Sequence, residues 1–182
     1  MELEKHIITP LSDDKVSDLK AGDYVYLSGT LYTARDAAHR RIYEAMQKGE
    51  KIPFELQDNI IYYLGPSPAR EGRPIGSAGP TTSSRMDKYT PILLENGLKG
   101  MIGKGKRSKE VIDSMHKNNA VYFAAIGGAG ALLSKCIKKS EVIAYEDLGT
   151  EAIRKLEVEN LPVIVVIDSD KRNMYDEALK GI

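Results

Sequence analysis

Two arginines stand in matching surroundings. Thr33-Ala34-Arg35-Asp36 and Ser84-Arg85-Met86-Asp87 each set an arginine beside a capping hydroxyl and an aspartate. A cation in the first turn of a helix faces the positive end of the macrodipole, a misplacement of about 0.3–1 kcal/mol that something must offset. A helix start also presents free N–H groups, and a guanidinium adds a planar fork that fits carboxylate or phosphate bidentately. Two arginines in the same context point to an anion pocket. The plainer alternative for each is a pair with the adjacent aspartate or a side chain in water.

Further groups carry chemistry by type and spacing. "GPTT" (79–82) follows a turn with two hydroxyls, Thr81 and Thr82, which either serve a ligand or cap the next turn. "GMIGKGKRS" sets Lys104 between two glycines at the C-terminal end of a strand, where parallel α/β sheets collect ligands; the alternative is a solvated basic turn with Lys106 and Arg107. The spacing is not that of a P-loop. "IGGAGA" (126–131) begins a dinucleotide fingerprint with Gly128 and Gly130, but Leu133 stands where a third glycine belongs, so close packing of turn on helix fits better. His39, one turn after Arg35, has no second histidine or cysteine nearby to form a metal pair, and Cys136 reads as a small core residue.

These groups need a scaffold, and 182 residues suffice for one domain with its own core, expected to span 1–182. Apolar residues make up 42% and charged residues 29%, the composition of an ordinary globular chain. Lys+Arg and Asp+Glu number 26 each, so no overall field would gather nucleic acid or an acidic membrane, and any anion must be met locally. One cysteine excludes an intramolecular disulfide or a cysteine-built metal site. "MELEKHIITP" lacks the pattern of a signal peptide and "LPVIVVI" is too short to span a bilayer, which together suggest a cytoplasmic protein.

The alternation in "DYVYLSGTLY" (23–32) predicts a strand, and Ala37, Ala38, Ile42, Ala45 and Met46 predict a helix ending at Gly49, with Thr33 and Asp36 as a capping box. "NIIYYLG" (59–65) predicts another strand. The Pro/Gly/Ser-rich "PSPAREGRPIGSAGP" predicts a long exposed loop, and 66–84 is expected to be mobile without a partner. Two starts fit the following helix: Ser84, which leaves Pro91 inside it, or Thr90 as N-cap with Pro91 at N1 and 83–89 as a separate turn. Strands at 98–103 and 120–127 then alternate with helices at 108–118 and 129–137, the pattern of a parallel sheet with crossover helices. A strand at 141–147, a hairpin over 152–169 turning near Glu159-Asn160 and a closing helix at 171–181 make the fold mixed α/β.

As a set, "GTLYTARDAAHRR", "YYLGP", "GSAGPTTSSRMDKYTP", "KGMIGKG" and "PVIVVIDSD" resemble the beta subunit, or C-terminal region, of the iron-sulfur hydro-lyases, class I fumarase and L-tartrate dehydratase. The resemblance runs from about Leu27 to Asp170. It implies a three-layer swivelling β/β/α domain with a mixed, partly parallel sheet. It also implies a site shared with a cysteine-bearing alpha subunit that holds a 4Fe-4S cluster, and hence a hetero-oligomer inactive without that subunit. On the matching motifs it implies that Arg35 and Arg85 bind the carboxylates of a dicarboxylate substrate, Thr81 supplies the catalytic hydroxyl and Lys104 makes a further substrate contact. "RMD" followed by "YTP" is more like fumarase than tartrate dehydratase. A non-catalytic anion-binding or assembly module on the same fold is the alternative from a different class.

Overall fold

A computed structural model of the chain describes residues 4–126 and 130–180, the side chains of 179 and 180 excepted. Seven strands form one mixed sheet: β1 (Glu4–Ile8), β2 (Tyr24–Thr33), β3 (Ile60–Tyr62), β4 (Gly100–Gly103), β5 (Val121–Ala125), β6 (Ile137–Ala144) and β7 (Ile153–Ile167). The helices are α1 (Asp13–Asp18), α2 (Asp36–Gln47), α3 (Thr90–Glu95), α4 (Lys109–Asn118), α5 (Gly130–Ser134) and α6 (Met174–Lys180).

Strands β1 to β5 pair in parallel, neighbour to neighbour, as strand–helix alternation requires. Strand β7 runs antiparallel to β5, β6 and β2. Its pairing with β2 closes the path β2–β3–β4–β5–β7 on itself, which leaves none of those five strands as a sheet edge. Side-chain alternation then builds two cores. Ile60, Tyr62, Ile102, Val121 and Phe123 join Leu27, Leu31, Val163 and Val165 in one. Ile61, Tyr63, Met101 and Tyr122, each one residue out of phase, pack with Ala38 and Ile42 of α2, Leu93 and Leu94 of α3, and Val111 and Met115 of α4 in the other.

Several local expectations change. The hairpin at 152–169 is instead one 15-residue strand, β7. Between the pairs Leu27–Leu161 and Gly29–Val158, β2 has one residue and β7 has two, so Glu159 and Asn160 form a bulge. Asn160 takes φ 51 and donates its N–H to Ser28 Oγ, which is why a turn-forming residue sits inside a strand. Strand β6 begins at Ile137, so the helix predicted to run to 137 stops at Ser134, because Ile137 pairs with Val158. The strand predicted at 141–147 ends at Ala144, and residues 146–151 form 3-10 turns. Thr33 is no capping residue: it ends β2, and its hydroxyl accepts the Arg154 N–H at 3.0 Å. Strand β1 and helix α1 arise where the sequence predicts no element; Ser12 caps α1, and Val16 lies in the first core.

The helix starts near the later position, but with Tyr89 rather than Thr90 as the N-cap, so Thr90 and Pro91 are its first two residues. Residues Ser83–Met86 form a 3-10 turn, and α3 begins at Thr90 with Pro91 in its first turn, where a missing N–H costs nothing. The 66–84 segment is exposed over 67–74 but not throughout. Ile75 and Ala78 are buried, the Tyr62 hydroxyl donates to the Ala78 carbonyl, and Ala78 N–H donates to the Gly130 carbonyl. Gly127, Gly128 and Ala129 lie outside the described residues.

Candidate functional site

The C-terminal ends of β2, β3 and β4 lie side by side, because Thr33 pairs with Tyr62 and Tyr62 with Ile102. Ligands of parallel sheets gather at such an edge. Arg35 follows β2 directly as the N-cap of α2. Lys104 follows β4 and pairs in parallel with Thr82. The Thr81 N–H donates to the Tyr63 carbonyl at 2.8 Å, and the Ser83 N–H donates to the Lys104 carbonyl at 2.9 Å, so the hydroxyl segment is threaded between the ends of β3 and β4. Arg85, in the 3-10 turn, reaches the start of α2 and donates from Nε to Asp36 Oδ2 at 2.7 Å. The four predicted residues therefore share one edge, although they are drawn from three separate segments of the chain.

Their electrostatic states differ. Arg35 lies against Gly65: a Cβ at that glycine would come within 2.6 Å of Nη1 and 2.7 Å of Cδ, so a side chain there would push the guanidinium from its present position. Arg35 Nε is buried without a hydrogen-bond partner, and Arg35 enters no ion pair among the described residues. Lys104 is exposed, and its ammonium likewise has no partner among the described residues. Thr81 is half-buried with its hydroxyl uncommitted. A buried guanidinium donor costs about 1–3 kcal/mol when unsatisfied, so an anion at this edge could satisfy Arg35 Nε with exposed Lys104 adding a second positive charge nearby.

Arg85 departs from its sequence-based placement in two ways. It occupies the third position of a four-residue 3-10 turn, not a helix N-terminus, so no macrodipole opposes it. Its carboxylate is Asp36 of the other arginine motif, not the neighbouring Asp87. Asp87 belongs to Arg107.

Arg107 is the residue the sequence reading missed. The alternative of a solvated basic turn is wrong for it, since its side chain is wholly buried. Nε donates to Asp87 Oδ1 at 2.7 Å, and Nη2 donates to the Tyr63 hydroxyl at 3.0 Å and to Thr90 Oγ1 at 3.1 Å. The guanidinium lies over the Tyr63 and Tyr122 rings, 5.2 and 4.9 Å from their centroids. Burial pulls its pKa down, but Tyr63 and Asp87 outweigh that and the net shift is upward. Tyr122 extends the network through hydrogen bonds with Ser83 Oγ at 2.7 Å and the Gly105 carbonyl at 2.8 Å. One buried cation thus ties together the end of β3, the 3-10 turn and the loop that carries Lys104. The sequence holds no local signal for this, because Asp87 and Tyr63 lie 20 and 44 residues away.

His39 underlies the same site. Its Nδ1–H donates to the Arg35 carbonyl at 2.9 Å, its ring meets Tyr63 edge-on at 5.3 Å, and Nε2 is buried without a partner. Burial pushes its pKa down from 6.5 to about 4, opposed by the bond to Arg35 and helped by the Arg107 charge. The imidazole is therefore neutral near pH 7 and structural. The unfolded chain takes up this proton as pH falls below about 6.5 while the folded protein does so only near 4, so folding loses about 3 kcal/mol across that window. Denaturant titration at pH 7 and pH 4.5 checks this, and His39→Gln is expected to flatten the difference.

Cys136 is half-buried between α5 and β6, not inside a helix, and burial raises its thiol pKa. Among the described residues no group of three or more His, Cys, Asp or Glu side chains could hold a metal ion, and no helix is long and apolar enough to cross a membrane.

The family model of the fumarase C-terminus matches residues 2–178. The chain belongs to the fumarase C-terminus family. Its relatives include "Fumarate hydratase 2" of Leishmania major, 41% identical over 167 residues, and "Fumarate hydratase class I, anaerobic" of Escherichia coli, 41% identical over 173 residues. Those matches cover 91% and 94% of this chain but 29% and 30% of the relatives, so this fumarase C-terminus chain spans under a third of their length. A third relative differs in proportion: "Putative L(+)-tartrate dehydratase subunit beta" of Methanocaldococcus jannaschii is 37% identical over 184 residues, covering 98% of this chain and 94% of that protein.

Proposed function

We propose that this chain, as a single domain over 1–182 with the swivelling β/β/α layering, is the beta subunit of a two-subunit fumarate hydratase that interconverts fumarate and L-malate. The observation that carries the reading is Arg35: a guanidinium with a buried, unpaired Nε, on the same sheet edge as unpaired Lys104, uncommitted Thr81 and Arg85. A dicarboxylate has two anionic ends, and cations on either side of the hydroxyl segment would hold both, fixing the carbon that gains or loses a proton. Arg35 and Arg85 would each engage a carboxylate and Lys104 would add a point charge. Thr81 Oγ would face the proton on the carbon between them, with adjacent cations favouring its ionised form.

The hydro-lyases this chain resembles use a 4Fe-4S cluster, which supplies a Lewis acid for the departing hydroxyl. The residues of this chain do not fit that group: one half-buried cysteine and no metal-holding cluster among the described residues offer it no ligands. A cysteine-bearing alpha subunit would have to hold it entirely. Near one-to-one coverage of the tartrate dehydratase relative's beta subunit supports a two-chain arrangement, and a lone free cysteine is in keeping with a reducing, cytoplasmic compartment.

The decisive experiment mixes purified chain with a cluster-loaded alpha subunit and follows fumarate by ultraviolet absorbance. Neither subunit alone is expected to hydrate fumarate, the mixture is, and Thr81→Val in the mixture is expected to lose about 10²–10⁴-fold in kcat with KM little changed. A second reading, L-tartrate dehydratase, rests on the Methanocaldococcus jannaschii likeness. Faster turnover of tartrate than of malate by the same mixture would establish it instead.

A further inference from the structure

Asp36 and Asp87 occupy corresponding places in the two arginine motifs, yet neither pairs with the arginine of its own motif. Asp87 is consumed in the interior: Oδ1 accepts from Arg107 Nε and Oδ2 accepts from the Ser108 N–H at 2.8 Å. Asp36, the first residue of α2, reaches across to Arg85: Oδ2 accepts a hydrogen bond from Nε at 2.7 Å and lies 2.7 Å from Nη2 in the same ion pair. Its other oxygen, Oδ1, is buried without a partner. The contact is lopsided. The grip on a single edge of the guanidinium leaves Nη1 without a partner among the described residues.

We infer that Asp36 is a positioning residue that holds Arg85 by one edge of its guanidinium so that the remaining donors face the sheet edge shared with Arg35, Thr81 and Lys104; this rests on the hydratase reading above. The carboxylate is well placed for the task, because it sits at the start of the 12-residue α2, where a negative side chain complements the helix dipole. Arg85 is half-exposed at the tip of a short 3-10 turn and has no other ion-pair partner among the described residues. Without Asp36 its long side chain would sample many rotamers and pay ordering entropy on each encounter with substrate. The ligand so positioned is one carboxylate of the diacid.

The test is a double-mutant cycle in the reconstituted two-subunit enzyme. Asp36→Asn keeps the shape and one acceptor but removes the charge, and is expected to raise KM for fumarate about 10-fold with a smaller effect on kcat. Arg85→Met alone should raise KM further. In the Arg85→Met background, Asp36→Asn should add nothing, because a positioning residue has nothing left to position. An unchanged KM in Asp36→Asn, or losses that multiply in the double variant, would overturn the inference. Circular dichroism melting of each variant separates this from damage to α2: a purely capping role would lower the melting temperature equally with and without Arg85. A wild-type mixture inactive on both fumarate and tartrate would instead remove the hydratase reading, before any variant is compared.

Discussion

Arg35→Met is expected to lower kcat/KM of the reconstituted enzyme for fumarate by about 10²–10³-fold while leaving the melting temperature of the chain unchanged or higher. The loss corresponds to about 3–4 kcal/mol, the worth of two charge-assisted hydrogen bonds to one carboxylate. The stability side of the expectation comes from Arg35 Nε, a buried donor without a partner in the ligand-free protein. Methionine keeps the aliphatic stem against Gly65 and removes that unsatisfied group, so function and stability should move in opposite directions. Arg35→Lys should fall between, since it keeps a point charge but loses the fork. Steady-state kinetics and thermal melting on the same preparations check both halves, and retention of full activity in Arg35→Met would remove this residue from the site.

Arg107→Met is expected to do the reverse, costing stability rather than a substrate contact. The variant strands Asp87, 14% exposed in its side chain, without its cation, and takes partners from the Tyr63 hydroxyl and Thr90 Oγ1. Breaking a buried pair from one side costs about 3–5 kcal/mol. In a chain of this size that lowers the melting temperature by about 6–20 °C. Adding Asp87→Asn should recover part of the loss, because the orphaned carboxylate is what the single variant cannot tolerate. Equal melting temperatures for wild type and Arg107→Met would show that the buried network contributes nothing to folding.

The contrast between these two arginines marks how far the sequence reaches. Arg35, Thr81, Arg85 and Lys104, which the fold brings to one sheet edge, each sit beside a local signal: a strand end, a proline–glycine turn or a capping hydroxyl. The parallel run of strands was legible, since strand and helix periodicities alternate through 98–137 whichever way the sheet is later closed. Local signals failed where a distant partner set the geometry. Asn160 carries the chemistry of a turn, but with Ser28 to accept its N–H and β2 and β6 on either side of β7 it becomes a bulge in a continuous strand. Ile137 was predicted helical until Val158 claimed it for a sheet.

By itself, then, the sequence determined the residue types able to bind a diacid and the α/β class of the scaffold, because both depend on side-chain chemistry and short-range period. Only the tertiary structure decided which charges remain free. Asp36 pairs with Arg85 from 49 residues away, Arg107 takes Asp87 into the interior, and Arg35 is left without a counterion among the described residues. Charge pairing depends on separation in space, which closure of the sheet sets and sequence spacing does not encode.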